Sequence, residues 1–103
     1  MLENATLIGP METQSFEREM RREGFADIQI KSFGPMLTNT PHQHPFDVRG
    51  FVLDGEATIT CDGVPGTYRK GDTFNMKAGV THTETYGPSG YRWLIGKRHP
   101  KTN

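Results

Sequence analysis

His42 and His44 lie one residue apart in the run Thr40-Pro41-His42-Gln43-His44-Pro45-Phe46-Asp47 and are two of the chain's four histidines. In an extended backbone, residues two apart project from the same face, so both imidazoles can converge on one ion. Pro41 and Pro45 bracket the pair and stiffen it, because each ring fixes its own φ. Each also holds the residue before it, Thr40 or His44, near an extended conformation. A third imidazole, His82, follows beyond several turns. Three neutral imidazoles suit a divalent transition metal ion (Fe, Zn, Ni or Cu), and a hard carboxylate oxygen joining them would suit Fe or Mn. Three protein ligands also leave an open position for water or substrate, as in catalytic zinc sites. Asp47 and Glu84 are the nearby carboxylates, each able to complete such a set as a fourth ligand or to orient a ligating ring. An H-x-H pair in a polar loop can equally be ordinary surface, and the pair alone does not decide between the two.

These side chains need elements to position them. The chain has 103 residues, which fits one domain, since domains run to about 100–150 residues. At this size only about 60–70% of the unfolded chain's surface is hidden, so the core is thin and oligomerisation would help it. The apolar fraction is 33%, with 12 glycines and 7 prolines. Short apolar runs divided by so many turn residues predict an all-β domain. One helix is predicted over residues 12–23. Phe16 and Met20 share a face, Glu17 and Arg21 pair at the helical spacing, Thr13 or Ser15 caps the start, and Gly24 ends it. From Ala26 the period becomes two, with Ala26, Ile28 and Ile30 alternating against polar residues. Further strands are predicted at 51–53, 57–61, 64–69, 73–76, 82–86 and 91–95. Asp54-Gly55 is expected as a hairpin turn, with further turns at Asp62-Gly63, Lys70-Gly71-Asp72, Ala78-Gly79 and Gly87-Pro88-Ser89-Gly90. Seven or eight short strands must pack as two sheets or a barrel.

Lysine plus arginine and aspartate plus glutamate both number 12. That balance gives no general reason to expect nucleic acid or an anionic membrane as a partner. The basic run Gly96-Lys97-Arg98-His99-Pro100-Lys101 reads as a solvated tail. The one cysteine, Cys61, excludes an intrachain disulfide and reads as a small core residue beside Ile59 and Ala57. No window approaches the about 18 apolar residues of a membrane span. The start has no basic region followed by an apolar core, and the expected location is cytoplasmic.

The chain resembles a small single-domain cupin over residues 26–96. The family's first motif contains H-x-H, a glutamate and a closing glycine, matched here by His42, His44 and Gly55. Its second motif aligns Gly71, Gly79 and His82 in register. The first motif's opening glycine would fall at Met36, with Gly34 two residues earlier, and three further motif residues are replaced. The glutamate position falls at Val48 with Asp47 one residue earlier, Lys77 stands for the proline, and Tyr86 for the asparagine. A one-residue shift turns a side chain to the other face, so Asp47 reaches the ion only if a bulge or loop re-aims it.

The resemblance implies a double-stranded β-helix, or jelly-roll barrel, with a short N-terminal helix. Residues 1–25 would form a segment whose helix lies on the barrel or a dimer partner, 26–97 the barrel, and 98–103 a tail. It implies a metal held inside one mouth by His42, His44 and His82, with Val48, Gly50, Val52, Met76 and Tyr86 lining the cavity. Gly50 would leave room for a ligand or mark a bulge, and Arg49 would face out. Trp93, Tyr91 and Ile95 would serve as core or dimer contact. The implied function is a metal-dependent enzyme, oxygenase or isomerase in type, on a small organic substrate. The alternatives are a module that binds or senses a small molecule or metal, and a barrel with a purely structural mouth. The expected assembly is a homodimer.

Overall fold

The structure is a computed structural model and describes residues 9–100. Residues 1–8 of the expected N-terminal segment and 101–103 of the expected tail lie outside the described residues.

Helix α1 spans Pro10–Arg22, two residues earlier than the predicted start. Gly9 is its N-cap and proline takes the first helical position, where the missing N–H would have had no intrahelical partner. The Glu12 carboxylate reaches back to accept from Gly9 N–H at 3.0 Å. Thr13 and Ser15 therefore lie inside the helix and do not cap it. The Thr13 hydroxyl instead donates to the Gly9 carbonyl at 3.1 Å. The chain leaves the helix at Gly24, whose φ is +93°, and Phe25 N–H donates back to the Met20 carbonyl.

Five strands follow: β1 Ala26–Phe33, β2 Asp47–Cys61, β3 Val64–Arg69, β4 Thr73–Met76 and β5 His82–Arg98. They pair antiparallel in the order β1-β5-β2-β3, and β4 also pairs with β2. This is mostly β-sheet with jelly-roll-like topology and a short N-terminal helix. The fewer, longer strands correct two predicted turns. Asp54-Gly55 and Gly87-Pro88-Ser89-Gly90 are not hairpins; both lie within long strands that stay paired to each other, with register shifts around Gly55. The physical reason is close approach at a bend. Gly55 and Gly90 have φ of +74° and +82°; a Cβ on Gly55 would strike the Gly90 carbonyl, and one on Gly90 the Phe33 carbonyl. The glycines let β1, β5 and β2 cross at one place, so the turn chemistry bends strands and does not end them. On the far side of β2, the chain between β3 and β4 turns against Val52, whose N–H and carbonyl bond Asp72 O and Gly71 N–H at 2.9 Å each.

Period two then sorts the side chains. Along β2, Val48, Gly50 and Val52 face the interior, as do Tyr91, Trp93 and Ile95 on β5, and they share one core with Phe74, Met76 and Tyr86. The opposite phase, Leu53 and Leu94 with Phe51, meets Phe16 and Met20 of α1 and Phe25 in a second cluster. The helix thus covers the outer face of the same sheet. Burying side chains of this size contributes about 1.5–3 kcal/mol each, which holds a helix too short to stand alone. Arg49 also projects outward, but against the helix: it pairs with Glu23 at 2.8 Å and Glu19 at 3.7 Å and lies over the Phe16 ring. Arg98, expected in the tail, ends β5 and bonds the Glu23 carbonyl. The basic run therefore begins inside the sheet. No helix among the described residues is long and apolar enough to cross a membrane.

Candidate metal centre

The His42–His44 segment enters the site as a bridge to β5. His42 and His82 are antiparallel partners, with hydrogen bonds of 3.0 and 2.9 Å between their main chains. His44 is fixed from the turn before β5, where Gly79 N–H donates to the His44 carbonyl at 2.8 Å. Ring centroids lie 4.2 Å apart for His42–His82, 5.0 Å for His42–His44 and 5.1 Å for His44–His82. One ligand atom from each ring lies within 4.8 Å of the others, and the three residues are the metal-compatible cluster among the described residues.

The tautomers follow from the neighbours. His42 Nδ1 lies 2.7 Å from the Thr40 carbonyl, and His82 Nδ1 lies 3.0 Å from the Val80 carbonyl. A carbonyl only accepts, so each Nδ1 presents an N–H to it, and Nε2 is the atom left to face an ion. Burial, then repulsion from His82 and His42, pushes the His44 pKa down, while Glu84 opposes this. The shift favours the neutral ring that a ligand must present. The donor set fits a divalent transition ion held by His42, His44 and His82.

Beside the triad lies a cavity of about 230 Å³. Of the residues expected to line it, Val48, Met76 and Tyr86 do so, and Gly50 and Val52 do not. The Gly50 position is filled: a Cβ there would press into the Trp93 indole and the Phe74 ring, which stack across it at 4.9 Å and 16°. Val52 is wholly enclosed in the core.

Asp47 lies elsewhere. Its Oδ1 accepts from Ala78 N–H at 2.9 Å, and its Oδ2 pairs with Arg98 at 3.2 Å. It thus pins the Lys77–Gly79 turn to the start of β2, with no place in the cavity wall. The Ala78 N–H first, then Arg98, depresses its pKa. Glu84 does line the cavity. Its Oε1 accepts from Asn39 Nδ2 at 2.7 Å and from the Tyr86 hydroxyl at 3.0 Å, while its own N–H donates to Asn39 Oδ1 at 2.8 Å. Burial first, then Glu84, raises the Tyr86 pKa well above the usual phenol range, so Tyr86 is a donor throughout neutral pH.

Asn39, Phe46 and Lys31 also line the cavity and were not singled out from sequence; Lys97, expected in a solvated tail, lies in β5 and lines it too. Nothing in spacing joins Asn39 to Glu84. Lys97 did carry a signal, since it shares its phase with Trp93 and Ile95. The remaining histidine, His99, sits edge-on to Phe46 at 5.6 Å.

A family model described as the cupin domain matches residues 32–85. Dimethylsulfoniopropionate lyase DddW of Ruegeria pomeroyi is 32% identical over 69 residues, covering 67% of this chain and 45% of that protein. The chain thus spans about half the length of the curated relative it matches. A protein of unknown function from Streptococcus pyogenes superposes with a TM-score of 0.64 at 27% identity, over 73% of this chain and 65% of that one. DMSP lyase DddQ of Ruegeria pomeroyi shares the fold, with a TM-score of 0.64 at 23% identity over 74% of this chain and 39% of that one.

Proposed function

The chain belongs to the cupin domain family, and on that footing we propose that it is a metal-dependent enzyme acting on a small organic molecule in the cavity beside His42, His44 and His82. The observation that supports this most is the convergence of three imidazoles within 4.8 Å, two with Nδ1 engaged by backbone carbonyls. When bound, a divalent ion would act there as a Lewis acid on a ligand oxygen.

The protein's own part in this reading is proton handling. Glu84 is the carboxylate of the cavity wall, and Asn39 and Tyr86 both bond its Oε1. Asn39 and Tyr86 fix that oxygen, and Oε2 is the atom to take a proton from the ligand. A carboxylate base facing a polarised ligand favours proton-transfer chemistry of lyase or isomerase type. The likeness to the lyase DddW supports the same class. Oxygenase-type chemistry is the second reading; it is supported by the open positions left by three imidazoles, which suit iron. The architecture that goes with either is a barrel closed around the cavity, in a cytoplasmic homodimer.

The test loads the untagged protein separately with Fe, Zn, Mn, Ni and Cu and offers a panel of small organic acids in deuterated water. Deuterium entering the substrate carbon, or an elimination product, supports the lyase or isomerase reading. Consumption of oxygen supports the oxygenase reading. A ligand retained without turnover by any loaded form overturns both and leaves a binding or sensing module.

A further inference from the structure

Lys31 and Lys97 both contribute to the cavity wall, from neighbouring strands on one face. Lys31 is the register partner of Trp93, and Lys97 follows Trp93 and Ile95 in the inward phase of β5. The ion pairs among the described residues use Arg21, Arg49, Arg69, Lys70 and Arg98, and neither of these lysines. Lys97 Nζ lies 4.8 Å over the Phe46 ring, and Phe46 stacks on His44 at 4.9 Å. One ammonium is therefore stationed a single ring away from the triad. Against the two lysines the wall offers one carboxylate, Glu84, whose Oε1 is already occupied by Asn39 and Tyr86. The cavity carries a surplus positive charge before any ion is bound.

Both lysines are partly buried, and two like charges facing one cavity favour an anionic ligand there. We propose that the cavity takes a small organic carboxylate, its negative charge met by Lys31 and Lys97 and its short apolar body lying against Phe46, Val48, Met76 and Ile95. The cavity volume of about 230 Å³ suits a short-chain acid. This rests on the enzymatic reading for its substrate class, but the lysine contacts do not depend on turnover.

The experiment is therefore a binding measurement on metal-stripped protein. Isothermal titration uses short-chain carboxylates of increasing length, with the matching primary amides and inorganic phosphate as controls. Carboxylates bind and amides bind at least about tenfold more weakly, the size expected for losing a charge-assisted hydrogen bond. Lys97→Gln and Lys31→Gln each weaken carboxylate binding by about tenfold on the same grounds, and the double variant loses it. Metal uptake by the variants is followed separately and stays at the parent level, which shows that the triad is folded. Equal affinity for acid and amide overturns the proposal, as does unchanged affinity in the double variant, phosphate binding as tight as carboxylate, or failure of every carboxylate to bind. If carboxylates bind through the lysines but no metal loads, the metal-dependent reading fails and this one stands.

Discussion

His42 and His82 exchange both of their main-chain hydrogen bonds, at 3.0 and 2.9 Å. Two prospective ligands are thus a hydrogen-bonded antiparallel pair, and their ring separation of 4.2 Å is set by the backbone. His44 joins through Gly79 N–H. A site built on paired backbone is preorganised and should load without refolding. Untagged protein should carry a first-row metal near one equivalent per chain. His82→Ala should lower affinity beyond the about 10–100-fold typical of losing an outer partner. Elemental analysis after dialysis against a mild chelator measures both, and parent protein that emerges metal-free after exposure to every first-row ion would end the assignment.

Gly50→Ala tests the packing behind the cavity. The new methyl must enter space held by Trp93 and Phe74. Overpacking of this kind costs about 1–3 kcal/mol, and urea denaturation should show that loss while metal uptake stays at the parent level. An unchanged midpoint would mean that the Trp93–Phe74 stack moves aside freely.

Gly50 also shows where sequence reading stops. The glycine was legible as a small inward residue, and the two chemical interpretations were room or a bulge. Neither includes an indole from the neighbouring strand leaning over it, because the pairing of β2 with β5 and with β4 joins residues far apart in sequence. His42, His44 and His82 were legible because period two and the glycine register of a known family both act locally. The bend at Gly55 was read as a hairpin, and the one at Gly90 as a break between two strands, for a related reason. A glycine at positive φ marks a change of direction, and only long-range pairing tells a bent strand from an ended one. The expected cover for Phe16, Met20 and Phe25 was either the barrel or a partner. Leu53, Leu94 and Phe51 of the same chain supply it.

Tyr91 offers a stability prediction of opposite sign. Its hydroxyl is buried and has no partner among the described residues, and burial first, then Glu84, raises its pKa far above the usual phenol range. A buried unpaired polar group costs about 1–3 kcal/mol. Tyr91→Phe removes the group and keeps the ring stacked on Tyr86 at 5.5 Å, so the variant should be more stable by about 1 kcal/mol on that basis. A loss of stability in urea would show that the hydroxyl has a partner after all.

Asp47 carries the last prediction, because its sequence position beside the histidines suggested a ligand and its contacts give it another task. The carboxylate bonds Ala78 N–H through Oδ1 and Arg98 through Oδ2, and its side chain is 21% exposed. Asp47→Asn keeps an oxygen for Ala78 and removes the charge. Metal affinity should stay within about twofold of the parent, far from the 10–100-fold loss of a residue that orients a ligand. Stability should fall by up to about 1 kcal/mol, the range of a partly exposed ion pair, and Asp47→Ala should cost about 1–3 kcal/mol because Ala78 N–H is then stranded. The pH dependence has a definite sign. The folded pKa of Asp47 lies below its ordinary value, so its contribution is complete above the unfolded value of about 3.9. The contribution disappears as pH falls through the lower folded pKa. Parent and Asp47→Asn stabilities should therefore differ by a constant amount from neutral pH down to mild acid and converge below about pH 4. Denaturation curves across that window decide it. A gap that persists undiminished in strong acid would remove Asp47's charge from the account of the turn that holds His44.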